Sequence, residues 1–367
     1  MAERKNEASW IESRRRWQIN VQHDGQRKTF TSSIPGRKGK IAAEKKADQW
    51  LANGNTLHIG RFPECYQSYL EKVQIETSTS NYRKLEQIGR LYLLPQLKNK
   101  KIHAITEQDW QDCIDNAYLN HHLSKKSLLH IRGAITSFCR YLRKNDRSIQ
   151  LPEFLSIPKK ATVGKRNILQ PQDLQTLFTV DTVTIYKQPE PAFFIHAWRF
   201  IVLTGLRRGE LCGLRQEDIV KQTIQVRRSI TEYNEITSGK NDNAQRIVPL
   251  SHYAQIVLAA QKQMLKDQGI ISPWLFPDEN GNMLQPKHLY NKWRTYRRQH
   301  DIHSSLHELR HTFISIAKAD VPEQLLKQVV GHSISMDTFR VYGHQIDGET
   351  QRVANLLDHI FDQFLPQ

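Results

Sequence analysis

No stretch of this 367-residue chain approaches the ~20 consecutive apolar residues that a membrane-spanning helix requires, so an integral membrane protein is not expected. Arg4 and Lys5 are followed by no apolar segment, which argues against a secretion signal and predicts a cytoplasmic protein. Cysteine is scarce. Cys65, Cys113, Cys139 and Cys212 lie far apart and form no C-x-x-C pair, so reduced, mostly buried thiols are expected, not a disulfide framework or a zinc site. Internal repeats and low-complexity segments are also missing. The last deficit is acidic: 37 Asp and Glu face 53 Lys and Arg, a formal charge of +16, which favours a polyanionic partner and, without a membrane segment, nucleic acid.

A chain of this length exceeds what one core usually supports, and 38% hydrophobic residues suffice for two or three packed domains. Near the start, Trp17, Ile19 and Val21 alternate like a strand, Asp24-Gly25 is a strong hairpin turn, and Lys28-Thr29-Phe30 resumes an extended segment. A helix is predicted over about residues 42 to 53, with Ala43, Ala47, Trp50 and Leu51 as its apolar stripe. Residues 1 to 46 carry 12 Lys and Arg against 5 Asp and Glu, with Arg14, Arg15, Arg16, Arg27 and Lys28 among them. A solvated basic tail would explain the charge, but it would not need the β-branched and aromatic alternation or the turn. A small sheet packed on a helix, with cations on its open face, is suited to reading a duplex.

From about residue 58 to residue 147 the pattern is helical. Ser124 is a good N-cap for a helix whose apolar stripe runs Leu128, Ile131, Ile135, Phe138 and Leu142, while Lys125, Lys126, Arg132, Arg140 and Arg143 occupy its other face. Taken alone, that charged face is an ordinary solvated one. Residues 148 to 168, with Pro152, Pro158, Lys159, Lys160, Lys165 and Arg166, read as a basic linker. Beyond Ile168 helices dominate and are interrupted once, by strands at Thr223–Val226 and Arg246–Leu250 with a polar turn region from Ser238 to Ala244 between them.

The chemistry-bearing residues fall in this last part. Arg207 lies in Thr204-Gly205-Leu206-Arg207-Arg208-Gly209-Glu210-Leu211; Gly205 is placed to end the apolar helix containing Phe194, Trp198 and Ile201, so Arg207 should project from a turn, with Glu210 able to grip its guanidinium bidentately. His307 and Arg310 are three apart on one predicted helix, whose buried stripe is Leu309, Phe313 and Ile316. His332 follows a helix over 322 to 330 that Gly331 stops, and Tyr342 comes ten residues later in Val341-Tyr342-Gly343-His344. Each has a bland alternative: a surface Arg-Glu pair, a helix-capping histidine, or a core tyrosine beside Met336 and Phe339. Together they offer the cations and the nucleophile that displacement at a phosphodiester demands, beside a proton donor for the leaving oxygen.

The order, spacing and flanking residues of Arg207, Lys240, His307, Arg310, His332 and Tyr342 resemble the tyrosine recombinase family, the phage-type integrases. The resemblance implies a fold that is mainly α with small β-sheets. Residues 1–55 would form an arm-type DNA-binding domain of a small sheet plus helix, 56–158 a helical, SAM-like core-binding domain, and 159–367 a mixed α/β catalytic domain with a C-terminal tail. It also implies a mechanism. Tyr342 attacks the scissile phosphate and leaves a 3′-phosphotyrosine with a free 5′-hydroxyl; Arg207, Arg310 and His332 stabilise the phosphoryl oxygens, Glu210 holds Arg207, and His307 assists the nucleophile. Lys240 protonates the leaving oxygen: a family lysine commonly precedes the third-strand Arg by six residues, as Lys240 precedes Arg246, although the usual following Thr is Asn241 here.

Neither metal nor cofactor is expected from the resemblance. The expected partners are duplex DNA at core and arm-type sites, other copies in a homotetramer, an excisionase and a DNA-bending host protein. Contacts to DNA are expected from Arg14, Arg15, Arg16, Arg27, Lys28, Lys125, Lys126, Arg132 and Arg140. The tail, with Val353, Leu356, Leu357, Ile360, Phe361 and Phe364 on one side of a helix, is expected to dock on a neighbouring protomer. An Xer-like dimer resolvase, a type IB topoisomerase and a catalytically dead DNA-binding protein are the rival readings, and the basic N-terminal segment argues against the first.

Overall fold

A computed structural model describes residues 6–23, 26–52, 60–164, 167–238, 245–331 and 349–365. The chain divides into two compact units, Met1–Gly164 and Lys165–Gln367. No helix among the described residues is long and apolar enough to cross a membrane.

In the first unit, strands β1 (Ser9–Ile11), β2 (Arg16–His23) and β3 (Gln26–Ser32) form an antiparallel sheet in that order. Ile19 pairs with Phe30 and Val21 with Lys28. The alternation that places Ile19 and Val21 on one face buries both against Ala43, Ala47 and Leu51 of helix α1 (Gly36–Ala52). The opposite face carries Gln18, Asn20 and Gln22, paired with Thr31, Thr29 and Arg27.

A separate apolar cluster forms around α2 (Phe62–Glu76), α3 (Thr79–Ile88), the short α4 (Leu94–Leu97), α5 (Glu107–His121) and α6 (Lys125–Asn145). The Ser124 hydroxyl accepts from the Ser127 N–H, and Leu128, Ile131, Ile135, Phe138 and Leu142 are all buried, as the helical spacing predicts. Phe138 is the hub: its ring lies 5.5 Å from Phe62, 5.1 Å from Tyr66 and 5.5 Å from Tyr69.

Residues 149–161 of the segment read as a linker are packed instead. Ile149, Leu155 and Ala161 join this core, and its backbone is tied to α5: Glu107 accepts from the Glu153 and Phe154 amides at 2.8 and 2.5 Å, and Gln111 accepts from Ser156 N–H at 2.8 Å. The prolines and lysines masked sparse apolar residues whose burial needs no period, because an irregular strand of chain can follow a ready-made groove.

In the second unit α8 (Ile195–Thr204) is the central element, buried along nearly its whole length. Around it, in the order that the chain supplies them, lie α7 (Pro171–Thr179), α9 (Arg208–Cys212), α10 (His252–Asp267), α11 (Pro286–Gln299), α12 (Leu306–Ala317), α13 (Glu323–Val330) and α14 (Glu349–Phe361). Among the described residues three small sheets accompany them: β4 (Thr182–Ile185) with β5 (Gln188–Pro191); β6 (Ile219–Val220), β7 (Thr223–Val226) and β10 (Arg246–Pro249) in the order β10-β7-β6; and β8 (Ser229–Ile230) with β9 (Ile236–Thr237). Arg246 pairs with Val226 at the end of the β10–β7 ladder. Among the described residues helices are thus interrupted twice, not once. The β4–β5 hairpin turns through Tyr186 and Lys187 at φ of 49° and 66°, without the glycine or asparagine that marks such turns in sequence.

The C-terminal helix corrects a further expectation. On α14, Val353, Leu357, Ile360 and Phe361 are buried in the core of their own unit, the Asp358 carboxylate accepts from the His252 N–H at 2.6 Å, and the Tyr253 hydroxyl donates to Asp362 at 2.7 Å. An apolar face of that size is satisfied by the nearest exposed core, here α10, α12 and β10, so no neighbouring protomer is needed to cover it. All four cysteines are buried and unbridged, and burial pushes the Cys113, Cys139 and Cys212 thiols up to about 12.

Candidate active site

The local sequence around Arg207 makes a helix stop and a helix start within a few residues. Gly205 takes φ +65° and closes α8; Arg207 then caps α9, and the Glu210 carboxylate reaches back to accept the Arg207 amide at 2.8 Å. Glu210 also accepts from Arg207 Nη1 at 2.6 Å. The bidentate grip predicted for that pair belongs to another residue: Arg246 places Nη1 and Nη2 on the two Glu210 oxygens at 3.0 and 2.8 Å. Sequence reasoning had used Arg246 only as a register mark. It lies 36 residues from Glu210, and no short-range pattern could have joined them.

Helix α13 ends at Gly331, which is left-handed at φ +65°. A helix leaves its last carbonyls without intrahelical donors. Here three guanidiniums supply them in sequence: Arg246 Nε donates to Val329 O at 2.6 Å, Arg310 Nη2 to Val330 O at 2.7 Å, and Arg207 Nη2 to Gly331 O at 2.7 Å. Arg310 Nη1 also donates to Gly205 O at 2.5 Å. Residues from α8, α9, β10, α12 and α13 therefore meet at one point, immediately before His332.

The electrostatics follow from that crowding. Burial alone would raise the Glu210 carboxyl, but its bonds to Arg246 and Arg207 reverse this and hold it down at about 2. Arg310, 2% exposed, is pushed down to about 9 by burial and by Arg207 and Arg246, with Glu210 opposing; it remains a cation at neutral pH. Arg207 is the open member, its side chain 37% exposed against 6% for Arg246 and 3% for Glu210. Three arginines and one carboxylate leave two excess positive charges, with one guanidinium facing solvent. Such a cluster can receive an anionic oxygen.

His307 lies in the first turn of α12 on its exposed side, its ring edge-on to His311 at 4.8 Å, while Arg310 and Leu309 point inward. The helix is started by Ser305 and Glu308, whose carboxylate also takes the Asn167 amide at 2.7 Å. Lys240, His332 and Tyr342 lie outside the described residues. Among the described residues no three His, Cys, Asp or Glu side chains converge as a metal site would require.

Comparison with known proteins decides the family. A model described as the phage integrase family matches residues 167–349, and a second, described as the phage integrase N-terminal SAM-like domain, matches residues 61–117. The chain belongs to the phage integrase family. It is similar to tyrosine recombinase XerA of Pyrococcus furiosus, with 30% identity over 176 residues, 44% of this chain and 56% of that relative, so it spans little more than half the relative's length. Among solved structures it resembles the Tn1549 transposon integrase in complex with transposon right-end DNA (18% identity, TM-score 0.61, 78% of this chain and 97% of the other). It also resembles a lambda integrase tetramer bound to a Holliday junction (13% identity, TM-score 0.60, 92% and 98%). At these identities the likeness is one of fold.

The cationic candidates of this integrase-family chain are distributed unevenly. Arg14, Arg15 and Arg16 cluster at the start of β2, with Arg15 left-handed at φ 44°, and Arg27 lies on the open face of the sheet. Lys28 instead pairs with Val21 on the helix side, its Nζ 5.6 Å over Phe30 and 6.0 Å over Trp50. Lys125 and Lys126 are exposed in the first turn of α6, and Arg132 donates to Leu155 O at 3.4 Å. Arg140 lines a groove of about 470 Å³ with Lys72, Lys84, His130 and Lys144. Burial and the Lys84 and Lys126 charges lower the His130 pKa. Lys72 and Lys84 come from α2 and α3, so the groove was invisible along α6 alone.

Proposed function

We propose that this protein is a site-specific recombinase that cuts and rejoins duplex DNA through a 3′-phosphotyrosyl intermediate, integrating and excising a prophage or conjugative element. The observation that carries the reading is the convergence of Arg207 and Arg310 on the end of α13, one residue before His332. A scissile phosphate placed on the exposed Arg207 guanidinium would have its nonbridging oxygens within reach of cations that need little reorganisation.

In this reading the Tyr342 oxygen attacks phosphorus as its proton leaves, with His307 assisting. The new bond is Tyr342 Oη–P; the bond that breaks is P–O5′, whose oxygen takes a proton from Lys240. The phosphotyrosyl ester conserves the energy of the broken diester, so the 5′-hydroxyl can return or be exchanged without ATP. The partners are duplex DNA at core and arm-type sites, other copies of the chain in a tetramer, and excisionase and DNA-bending proteins. The folded, basic sheet and helix at residues 6–52 favour arm-site binding over the simpler Xer-like resolvase.

Covalent trapping tests the proposal. The full chain, incubated with a nicked duplex carrying its own attachment core, should yield a protein–DNA adduct on a denaturing gel. Tyr342→Phe should bind that duplex as the parent does and yield none. A persistent adduct in the variant would move the nucleophile elsewhere, and none in the parent would favour a DNA-binding protein without catalysis.

A further inference from the structure

Arg246 takes no part in the chemistry described above, yet it touches both halves of the machinery that performs it. We infer that Arg246 is a positioning residue for DNA cleavage: one guanidinium fixes the Glu210 carboxylate that aims Arg207 and, through Nε, the carbonyl end of the helix that leads to His332. The inference rests on the recombinase reading and adds to it a residue that the reaction itself does not require.

The geometry uses the full fork. Nη1 and Nη2 lie on the two Glu210 oxygens at 3.0 and 2.8 Å, and Nε lies on Val329 O at 2.6 Å. A planar guanidinium can meet a carboxylate edge and a carbonyl at once; an ammonium, a point donor, cannot hold both in fixed directions. Arg246 is nearly buried and opens β10, so its own backbone is set by the ladder to Val226. The rigid sheet is thereby transmitted to α9 and α13 through one side chain.

The charge balance gives the arrangement its purpose. Glu210 is buried and ionised, and a single partner would be drawn fully onto it. With Arg246 covering both carboxylate oxygens, Arg207 needs only Nη1 for Glu210 and Nη2 for Gly331 O, and it stays the exposed cation of the set. Without Arg246, Arg207 would turn further inward, and the end of α13 would lose one of the three donors that hold it. A displacement on the order of 1 Å at a reacting centre can cost about 100-fold in rate.

The test uses the full chain with Arg246→Lys and Arg246→Gln. Because removing one partner of a buried pair can unfold a protein, the double variant Arg246→Met with Glu210→Leu, which leaves no buried charge unpaired, is the third arm. For each, folding is read by circular dichroism, core-duplex affinity by titration, and single-turnover adduct formation on two nicked substrates, one with an ordinary phosphodiester and one with a 5′-bridging sulfur. The expected result is affinity within about threefold of the parent and adduct formation slowed on the order of 100-fold on both substrates, in every variant that folds, the lysine included. Cleavage at the parental rate once the folded fraction is matched would reduce Arg246 to a structural pin. Recovery on the sulfur substrate would instead assign its effect to the proton donor, Lys240. The parent adduct is the reference signal, so failure of the recombinase reading shows in the parent lane and failure of this inference in the variant lanes.

Discussion

Gly205 lies against the ring of Phe313 so closely that a Cβ at position 205 would stand 2.4 Å from Cδ1. Phe313 is fully buried, so its ring cannot swing clear, and Gly205 holds a left-handed φ of +65° while its carbonyl receives Arg310. Gly205→Ala should therefore combine backbone strain with overpacking and destabilise the second unit by about 2–4 kcal/mol. Adduct formation should fall more than the folded fraction does, because Arg310 moves with the strained carbonyl. Urea unfolding measured beside single-turnover cleavage checks this; a neutral Gly205→Ala would mean that the α8–α12 contact relaxes freely.

The acid behaviour of the cluster follows from Glu210. Its folded pKa of about 2 lies below the ordinary glutamate value of 4.5, so its contribution to stability is present in full above about pH 4.5 and is lost as pH falls toward 2. The linkage amounts to about 3 kcal/mol. Glu210→Gln should be less stable than the parent at pH 7 by an amount of that order, and the gap should narrow as pH falls below 4.5. Denaturant titrations at several pH values measure it, and a gap independent of pH would place the stabilisation outside this carboxylate.

Lys240 is expected to be the general acid, from its place ahead of Arg246 in sequence. Lys240→Ala should cleave ordinary DNA slowly and be restored largely on a 5′-bridging sulfur substrate, whose thiolate leaves without a proton. Equal impairment on both substrates would make its role one of positioning.

The helix α6 was legible in sequence because Ser124 and five apolar residues at helical spacing all point to the same element, and its buried set agrees with that stripe. Gly205 and Gly331 were legible as helix stops for the same local reason: both adopt the left-handed conformation that ends a helix. What escaped was either non-local or unmarked. The link from Arg246 to Glu210 crosses a sheet and a helix start, the groove around Arg140 draws on three helices, and the β4–β5 turn lacks its usual residues. The apolar face of α14 was read correctly as a face that must be covered; periodicity states that a partner exists, not which surface it is.

That correction changes what truncation should do. Leu357 and Phe361 are 1% and 0% exposed, and α14 packs on α10, α12 and β10. Leu357→Ala should cost about 2–5 kcal/mol, and ending the chain after His344 should destabilise the whole second unit, so that thermal melting shifts before any effect on assembly can be measured. A truncated protein that melted like the parent would return the helix to a role between protomers.

The sheet and helix at the N-terminus are expected to bind a second DNA site, distinct from the crossover core, so that one protomer bridges two segments. Arg14, Arg15 and Arg16 lie together at one end of the sheet, and the face turned away from α1 presents Gln18, Asn20, Gln22 and Arg27. Cations at the rim suit phosphates, and a row of amides suits base edges in a groove. Lys28 faces the other way, over Phe30 and Trp50, so Lys28→Ala should weaken arm-site binding less than Arg27→Ala does. Because each phosphate contact releases counterions, binding should fall steeply with salt, and Arg14→Ala with Arg15→Ala should lower that slope by about one per contact removed. Deleting residues 1–55 should leave adduct formation on a nicked core site intact while abolishing recombination between full attachment sites. If the shortened protein recombined long and minimal sites equally well, the arm-binding role would fail and the Xer-like reading would become the better account.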